Sequence, residues 1–228
     1  MGSLFLARHA TTEASAAGRN LGRRDDPSLA AEGVALAERL GSAIALELDD
    51  LPRPGSGALR IVSSSALRCR QTAASIAGAL ADAGYEPGEL EAHAGLIEID
   101  YGRWDGLTPE ECRAQDPELR ERWEADPFTT RCPDGESGGD VAARSFPIFD
   151  ELERWLAADG ERTVVAVGHN HVNRVRLCHT LGWPMRGYRD RISQDPGGYN
   201  LVTFSGDGAE SVVRRVNATP PPGPLPGR

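Results

Sequence analysis

Residues 162–169 read Arg-Thr-Val-Val-Ala-Val-Gly-His, an apolar run closed by glycine and histidine. It is the clearest buried strand in the chain. The helical spacing of HVNRVRLCHTLGW (171–183) sets a helix directly behind it. The same order recurs upstream. Residues 3–8 are a short buried strand, and SLAAEGVALAERLGSAIALEL (28–48) carries Ala, Leu and Ile at helical spacing, with Ser28 as expected N-cap. After a Pro- and Gly-rich loop, LRIVS (59–63) is a second strand, and SALRCRQTAASIAGALADAG (65–84) is a helix ending at Gly84. Residues 95–111 mix Gly with aromatics and read as an ordered excursion, followed by two short helices near 108–115 and 117–125. Residues 136–160 are mostly one long helix that Pro147 is expected to kink. GYNLVTFSG (198–206) and ESVVRRVN (210–217) alternate like a terminal hairpin. Strands alternating with helices predict an α/β fold, a three-layer α/β/α sandwich with a largely parallel central sheet. A single domain is expected over residues 1–217, followed by a Pro-rich tail, ATPPPGPLPGR (218–228), too rich in proline to pack and expected to be disordered.

In open α/β sheets, ligands sit at the carboxyl ends of the strands. Three strand ends carry polar clusters: Arg8-His9 in LFLARHATTE (4–13), Ser63-Ser64-Ser65 leading to Arg68, and Gly168-His169. In a parallel sheet these ends share one edge, which brings together residues 160 positions apart.

The formal net charge of −9 repels nucleic acid and anionic membrane, so neither is expected as a partner. An anionic substrate then needs positive charge concentrated against the global sign. Arg8, Arg68 and Arg70 each lie beside an apolar run rather than in a solvated block, though Arg70 is read as facing solvent. No apolar stretch is long enough to span a bilayer, and the N-terminus lacks the pattern of a signal peptide. Cys69, Cys112, Cys132 and Cys178 are scattered without a Cys-x-x-Cys, which reads as reduced thiols in a cytoplasmic protein.

Two histidines and two or more arginines at one sheet edge suggest a phosphoryl group. Arginine offers planar, bidentate donors to phosphate oxygens, and several of them make a metal unnecessary. A neutral imidazole attacks phosphorus directly, and neighbouring arginines favour that neutral form. A carboxylic acid must then protonate the leaving alkoxide. No cofactor and no metal are expected; His169 and His171 have a ligating spacing, but no third ligand is apparent.

Four stretches in order resemble the histidine phosphatase superfamily, also called phosphoglycerate mutase-like, in its phosphatase branch. They are Arg8-His9-Ala10 after a strand, SSALRCRQTA (64–73), EIDYGRWDG (98–106), and the apolar strand Val164–Gly168 ending in His169. The resemblance covers roughly residues 5–205. It implies a phosphoglycerate mutase-like fold. It also implies His9 as the nucleophile that becomes phosphohistidine, Arg8 and Arg68 as the phosphoryl clamp, and His169 as a donor to the same group. Glu98, chosen by motif register over Asp100 and Asp105, is implied as general acid and then base.

The departures bear on the pocket. Ala10 stands where the family has glycine, which requires a negative φ there. Ser15 stands where many members have a phosphate-binding asparagine, and Thr12 matches a frequent Thr or Ser; both are expected to help bind phosphate. Asn170 replaces a small residue, and with His171 and Arg174 it forms a possible substrate-binding set, by likeness to small-metabolite branches of the family. Tyr101 and Trp104 are read as core aromatics. The arginines at 19, 23, 24, 186, 189 and 191 leave substrate binding open.

The expected activity is metal-independent hydrolysis of a small phosphomonoester, such as a sugar phosphate or sugar acid phosphate. A mutase is the first alternative. Family mutases carry a longer insertion between the acid and the second histidine, and here Glu98 and His169 are only 71 positions apart. A protein phosphatase and a non-catalytic binder of phosphorylated ligands are the others. The intact set Arg8, His9, Arg68, Glu98 and His169 argues against the binder. Oligomeric state is unreadable.

Overall fold

The structure, a computed structural model, describes residues 1–205 and 211–223. In chain order the elements are β1 (Gly2–Arg8), α1 (Glu13–Ala16), α2 (Ala31–Asp49), β2 (Leu59–Ser64), α3 (Leu67–Asp82), β3 (Leu90–His93), α4 (Pro109–Gln115), α5 (Pro117–Ala125), α6 (Gly138–Ala157), β4 (Thr163–Gly168), α7 (Asn170–Thr180), α8 (Tyr188–Arg191), β5 (Tyr199–Phe204) and β6 (Ser211–Ala218). Among the described residues no helix is long and apolar enough to cross a membrane.

The strand order is β3-β2-β4-β1-β5-β6. The first four strands run parallel, whereas β5 pairs antiparallel with β1 and β6 antiparallel with β5. The expected α/β architecture is therefore present. Successive residues of β1 point to opposite faces. Leu4 and Leu6 pack with α6 and α7, through Phe149, Leu152, Val172 and Val175. Phe5 and Ala7 pack with α2 and α3, through Leu40, Ile44, Ile76 and Leu80. Each face of the sheet thus has its own apolar core, giving three layers. Close approach at the site end depends on Gly33, where a Cβ would lie 2.0 Å from the Thr11 carbonyl oxygen. That glycine lets the first turns of α2 press against the loop after β1.

Several local expectations give way. Ser28 does not cap α2; the helix starts at Ala31 behind Ala30, with no side-chain cap. The backbone N–H of Leu29 is instead taken by Gln71 Oε1 at 2.9 Å. α6 runs unbroken through Pro147, which sits on the exposed face where a missing N–H faces water. Strand β3 has no counterpart in the sequence reading. In the Pro-rich segment, Ala218 still pairs with Tyr199 and Pro220 is buried. The expected hairpin ends at residues 206 and 210, and the tail from 224 on, lie outside the described residues.

Candidate active site

The parallel register pairs Arg8 with Gly168 and Ser63 with Val167, so the ends of β1, β4 and β2 lie side by side. His9 follows β1 and is 3 % exposed. Its Nδ1 lies 2.8 Å from the carbonyl oxygen of Ala10. A carbonyl only accepts, so Nδ1 carries the hydrogen and Nε2 presents its lone pair. Burial, then the charges of Arg8 and Arg68, hold the imidazole well below its ordinary pKa and keep it neutral. Ala10 avoids the left-handed region, and its methyl packs with Leu29 and Ala37. The backbone therefore accepts alanine where the family motif has glycine.

Arg8 donates through Nη1 to the Gln194 carbonyl oxygen at 2.6 Å. Gln194 is fixed by a buried amide network with Asn200, which also donates to the Leu6 carbonyl oxygen. Arg68, only 1 % exposed, donates to the Gly22 carbonyl oxygen at 3.1 Å and lies 3.6 Å from Asp26. Its Nη2 also donates to His169 Nδ1 at 3.3 Å. A guanidinium has no acceptor, so His169 carries its hydrogen on Nε2, which donates to Ser64 Oγ at 2.8 Å. The N–H expected to meet a phosphoryl group is therefore engaged by Ser64. The His9 and His169 rings meet edge to face, 5.3 Å between centroids. Arg70 is exposed.

Glu98 is buried and accepts from the backbone N–H of Ile99 at 2.9 Å and of His171 at 3.2 Å. Burial raises its pKa above the ordinary carboxylate range, against those two N–H groups and Arg8. Arg23 and Arg144 donate to its backbone carbonyl and share the carboxylate of Glu136, locking the segment in place. The two rival carboxylates are occupied structurally. Asp105 accepts three consecutive backbone N–H groups, Gly22, Arg23 and Arg24, each at 2.9 Å. Asp100 accepts from the Gly102 N–H at 2.8 Å.

Arg8, His9, Ser15, Glu98, Tyr101 and Asn170 face one cavity of about 180 Å³, which Arg189 also lines. Two sequence expectations change here. His171 is buried with both ring nitrogens bonded to hydroxyls, Nε2 to Tyr101 at 2.8 Å and Nδ1 to Tyr188 at 2.5 Å. Its ring does not line the cavity, and its backbone N–H donates to Glu98. Thr12 is fully buried; its hydroxyl caps α1 in a reciprocal pair with Ser15 and does not line the cavity. Ser15 does line it, while bonding Thr12. Tyr101 and Trp104 both belong to the core, as read, and Tyr101 also forms cavity wall.

Of the arginines left open, Arg19 lines the cavity and pairs with Glu111, and Arg23 pairs with Glu136. Arg24 is exposed 3.9 Å from Asp25, Arg186 is exposed and donates to the Ala125 carbonyl oxygen, and Arg191 is exposed. Arg189 faces the cavity. A tyrosine one residue before it, buried in α8, was the available signal, since it anchors that turn against the core. The four cysteines are buried and free. Among the described residues no group of three or more His, Cys, Asp or Glu is placed to hold a metal.

A three-layer sheet with two histidines, two arginines and a buried carboxyl at one edge is the arrangement of a phosphoryl-handling α/β protein. The chain belongs to the histidine phosphatase superfamily, branch 1, whose family model matches residues 4–218. It is 34 % identical over 217 residues to a bifunctional protein of Mycobacterium tuberculosis, covering 95 % of this chain and 54 % of that one. The chain thus spans about half the length of that relative. It is 32 % identical over 221 residues to phosphoserine phosphatase 1 of Hydrogenobacter thermophilus, covering 96 % of this chain and 93 % of that one. Among solved structures, a mycobacterial glucosyl-3-phosphoglycerate phosphatase aligns with TM-score 0.79 at 23 % identity over 96 % of this chain and all of that one, which shows the shared fold.

Proposed function

We propose that the protein is a metal-independent phosphatase that hydrolyses a small phosphomonoester through a phosphohistidine on His9. The observation that carries this reading is the bare Nε2 of a neutral, buried His9, facing a cavity that it shares with Arg8 and Glu98. In the first step Nε2 attacks phosphorus, the N–P bond forms, and the P–O bond to the leaving group breaks. Glu98, its pKa raised by burial, gives its proton to the departing oxygen. In the second step the Glu98 carboxylate takes a proton from water as that water attacks phosphorus. The N–P bond breaks, phosphate leaves, and Nε2 regains its lone pair. Throughout, Nδ1–H stays on the Ala10 carbonyl.

Arg8 and Arg68 neutralise the phosphoryl oxygens. His169 orients Arg68 through Nδ1. When Ser64 releases it, its Nε2–H becomes a further donor at the transition state. The names of the relatives, which act on phosphoserine and glucosyl-3-phosphoglycerate, support a small phosphate ester as substrate. Buried free thiols fit a cytoplasmic setting.

The test is phosphate release from a panel of small esters, with and without EDTA, beside His9→Ala. Release that resists EDTA and vanishes in His9→Ala, together with an acid-labile, alkali-stable phosphoryl group on the wild-type chain, is the expected result. No release from any ester would overturn the reading and bring phosphoryl transfer between hydroxyls forward.

A further inference from the structure

We infer that Asn217 is a positioning residue for the phosphoryl clamp: from the edge strand β6 it clasps the loop at residues 194–198, and that loop holds Arg8. The inference rests on the phosphatase reading above and adds to it a determinant of clamp geometry that lies outside the cavity.

The loop meets the site in three places. The Gln194 carbonyl oxygen accepts from Arg8 Nη1 at 2.6 Å, and the Gly198 carbonyl oxygen accepts from the Arg8 backbone N–H at 2.9 Å. The Gly197 N–H donates to the His9 carbonyl oxygen at 3.2 Å. The Nε of Arg8 is out of water and unbonded. The direction of this guanidinium is thus set by a backbone carbonyl, which turns only when its loop turns. Whatever fixes the loop fixes Arg8.

Asn217 grips that loop from outside. Its Oδ1 accepts from the Asp195 N–H at 2.6 Å, and its Nδ2 donates to Asp195 Oδ2 at 2.9 Å. Its backbone N–H donates to Asn200 Oδ1 at 2.8 Å, and Asn200 is bonded twice to the Gln194 amide. Gln194 is therefore held through its chain neighbour and through its own side chain. Two backbone features make room for the grip. Asn217 has a φ of 48°, in the left-handed region that asparagine tolerates better than most residues. It falls where the β5–β6 register shifts, between the pairs Tyr199–Ala218 and Leu201–Arg215, and such irregularities re-aim side chains. Gly198 has no Cβ, and one built there would lie 2.7 Å from Asn217 Oδ1. A residue that only closed the ladder would send its N–H to the backbone of β5. Here the N–H and both side-chain polar atoms go to the loop and to Asn200, and local strain of this kind persists where the surroundings hold it.

The experiment compares Asn217→Gly, Asn217→Asp and the double variant Asn217→Asp with Asp195→Asn. Val213→Ala, a core-packed position on the same strand, is the stability control. Glycine keeps the left-handed backbone and removes the clasp. Asn217→Asp sets a carboxylate against Asp195, and the double variant restores an amide–carboxylate pair with the roles exchanged. Three quantities are read at a temperature where every variant is folded: orthophosphate affinity by calorimetry, KM and kcat on the ester hydrolysed fastest in the panel, and protection of the Arg8 Nε–H from exchange by NMR. In both single variants at 217, orthophosphate affinity is expected to fall about tenfold, the scale of one charge-assisted contact. KM rises in step and Nε–H protection drops. The double variant recovers most of each loss, and Val213→Ala lowers the melting temperature while leaving affinity and protection as in wild type. Unchanged affinity and protection in Asn217→Gly, equal losses in Val213→Ala, or no recovery in the double variant would overturn the clasp. Should one single variant misfold, the other carries the test. Wild type that releases phosphate from no ester removes the phosphatase, while Arg8 Nε–H protection still reads the clasp. Hydrolysis by wild type, with that protection unchanged in every variant, does the reverse.

Discussion

The backbone N–H of His171 points at the carboxylate of Glu98, 3.2 Å from Oε1. The carboxyl group therefore sits at the first turn of α7, directly after the strand end that delivers His169. One short stretch supplies both the histidine that meets Arg68 and the amide that holds the Glu98 carboxyl.

The pH dependence of turnover follows from two opposite shifts. In the proposed mechanism His9 attacks as a neutral ring, and its pKa lies well below the ordinary 6.5. In the same mechanism Glu98 donates from its protonated form, and its pKa lies above the ordinary 4.5. A plot of kcat/KM against pH is expected to be bell-shaped, with the acid limb below the usual histidine range and the basic limb set by Glu98. Glu98→Gln is expected to lower the rate about 10²- to 10⁴-fold and to abolish the basic limb. A basic limb that persists in that variant would assign the acid to another group.

The same substitution has an opposite effect on stability. A carboxyl whose folded pKa is raised contributes stability below its unfolded pKa and loses it as pH rises through the folded value. Above the ordinary carboxylate value the buried Glu98 is a burden, so at pH 8 Glu98→Gln is expected to melt at a higher temperature than wild type. The gap should close as the pH approaches 4. The buried histidines His9, His169 and His171 run the other way. Their lowered values give stability that is complete above about 6.5 and is lost on acidification. Melting curves between pH 4 and pH 8 for both proteins test the two signs together; an equal gap at all pH values would contradict the first.

Asp105→Asn separates a structural carboxylate from a catalytic one. An amide offers one acceptor oxygen where the carboxylate now serves the N–H groups of residues 22, 23 and 24. A loss of about 1–3 kcal/mol in unfolding free energy is expected. The catalytic loss should be modest and come through Gly22, whose carbonyl holds Arg68. A fall in kcat as large as that of Glu98→Gln, with an unchanged urea midpoint, would make Asp105 the acid instead.

His171→Phe is expected to act on stability before chemistry. It leaves the hydroxyls of Tyr101 and Tyr188 unpaired, each worth about 1–3 kcal/mol when buried. The N–H that holds Glu98 belongs to the backbone and survives the change. Denaturant titration beside steady-state kinetics reads the split. Collapse of kcat at wild-type stability would return the His171 ring to the substrate.

The parts of the molecule legible in sequence are those in which local pattern and tertiary role agree. Val164 to Val167 is apolar throughout because both faces of β4 are covered, and the polar residues that follow mark the sheet edge. α5 shows its start in Pro117 at the first helical position. β3 is illegible because Leu90–His93 is a four-residue edge strand with alternate residues exposed. At the site, His9, Arg8, Arg68 and Glu98 reach one region because strand ends and motif register fix them. The side chains of Thr12 and His171 diverge from expectation because their partners decide their direction. Thr12 turns to Ser15, a local choice open to any Thr-x-x-Ser. His171 turns to two tyrosines that lie 70 positions before it and 17 after it. Arg189 is a cavity residue only because Trp123, from a distant helix, gives it a surface to rest on.

The sheet order also sets the sequence of assembly. β1, the first of these strands in chain order, is flanked by β4 and β5, which come late in that order. Until residue 163 onward has emerged, the strand that carries His9 has neither of its hydrogen-bonding neighbours. The stretch before residue 163, standing alone, thus holds an apolar strand with two open edges, a state prone to wrong pairing and slow to resolve. Closure of the sheet around β1 and completion of the His9–His169 pair are one event, so this chain cannot acquire a working centre before its fold is nearly finished.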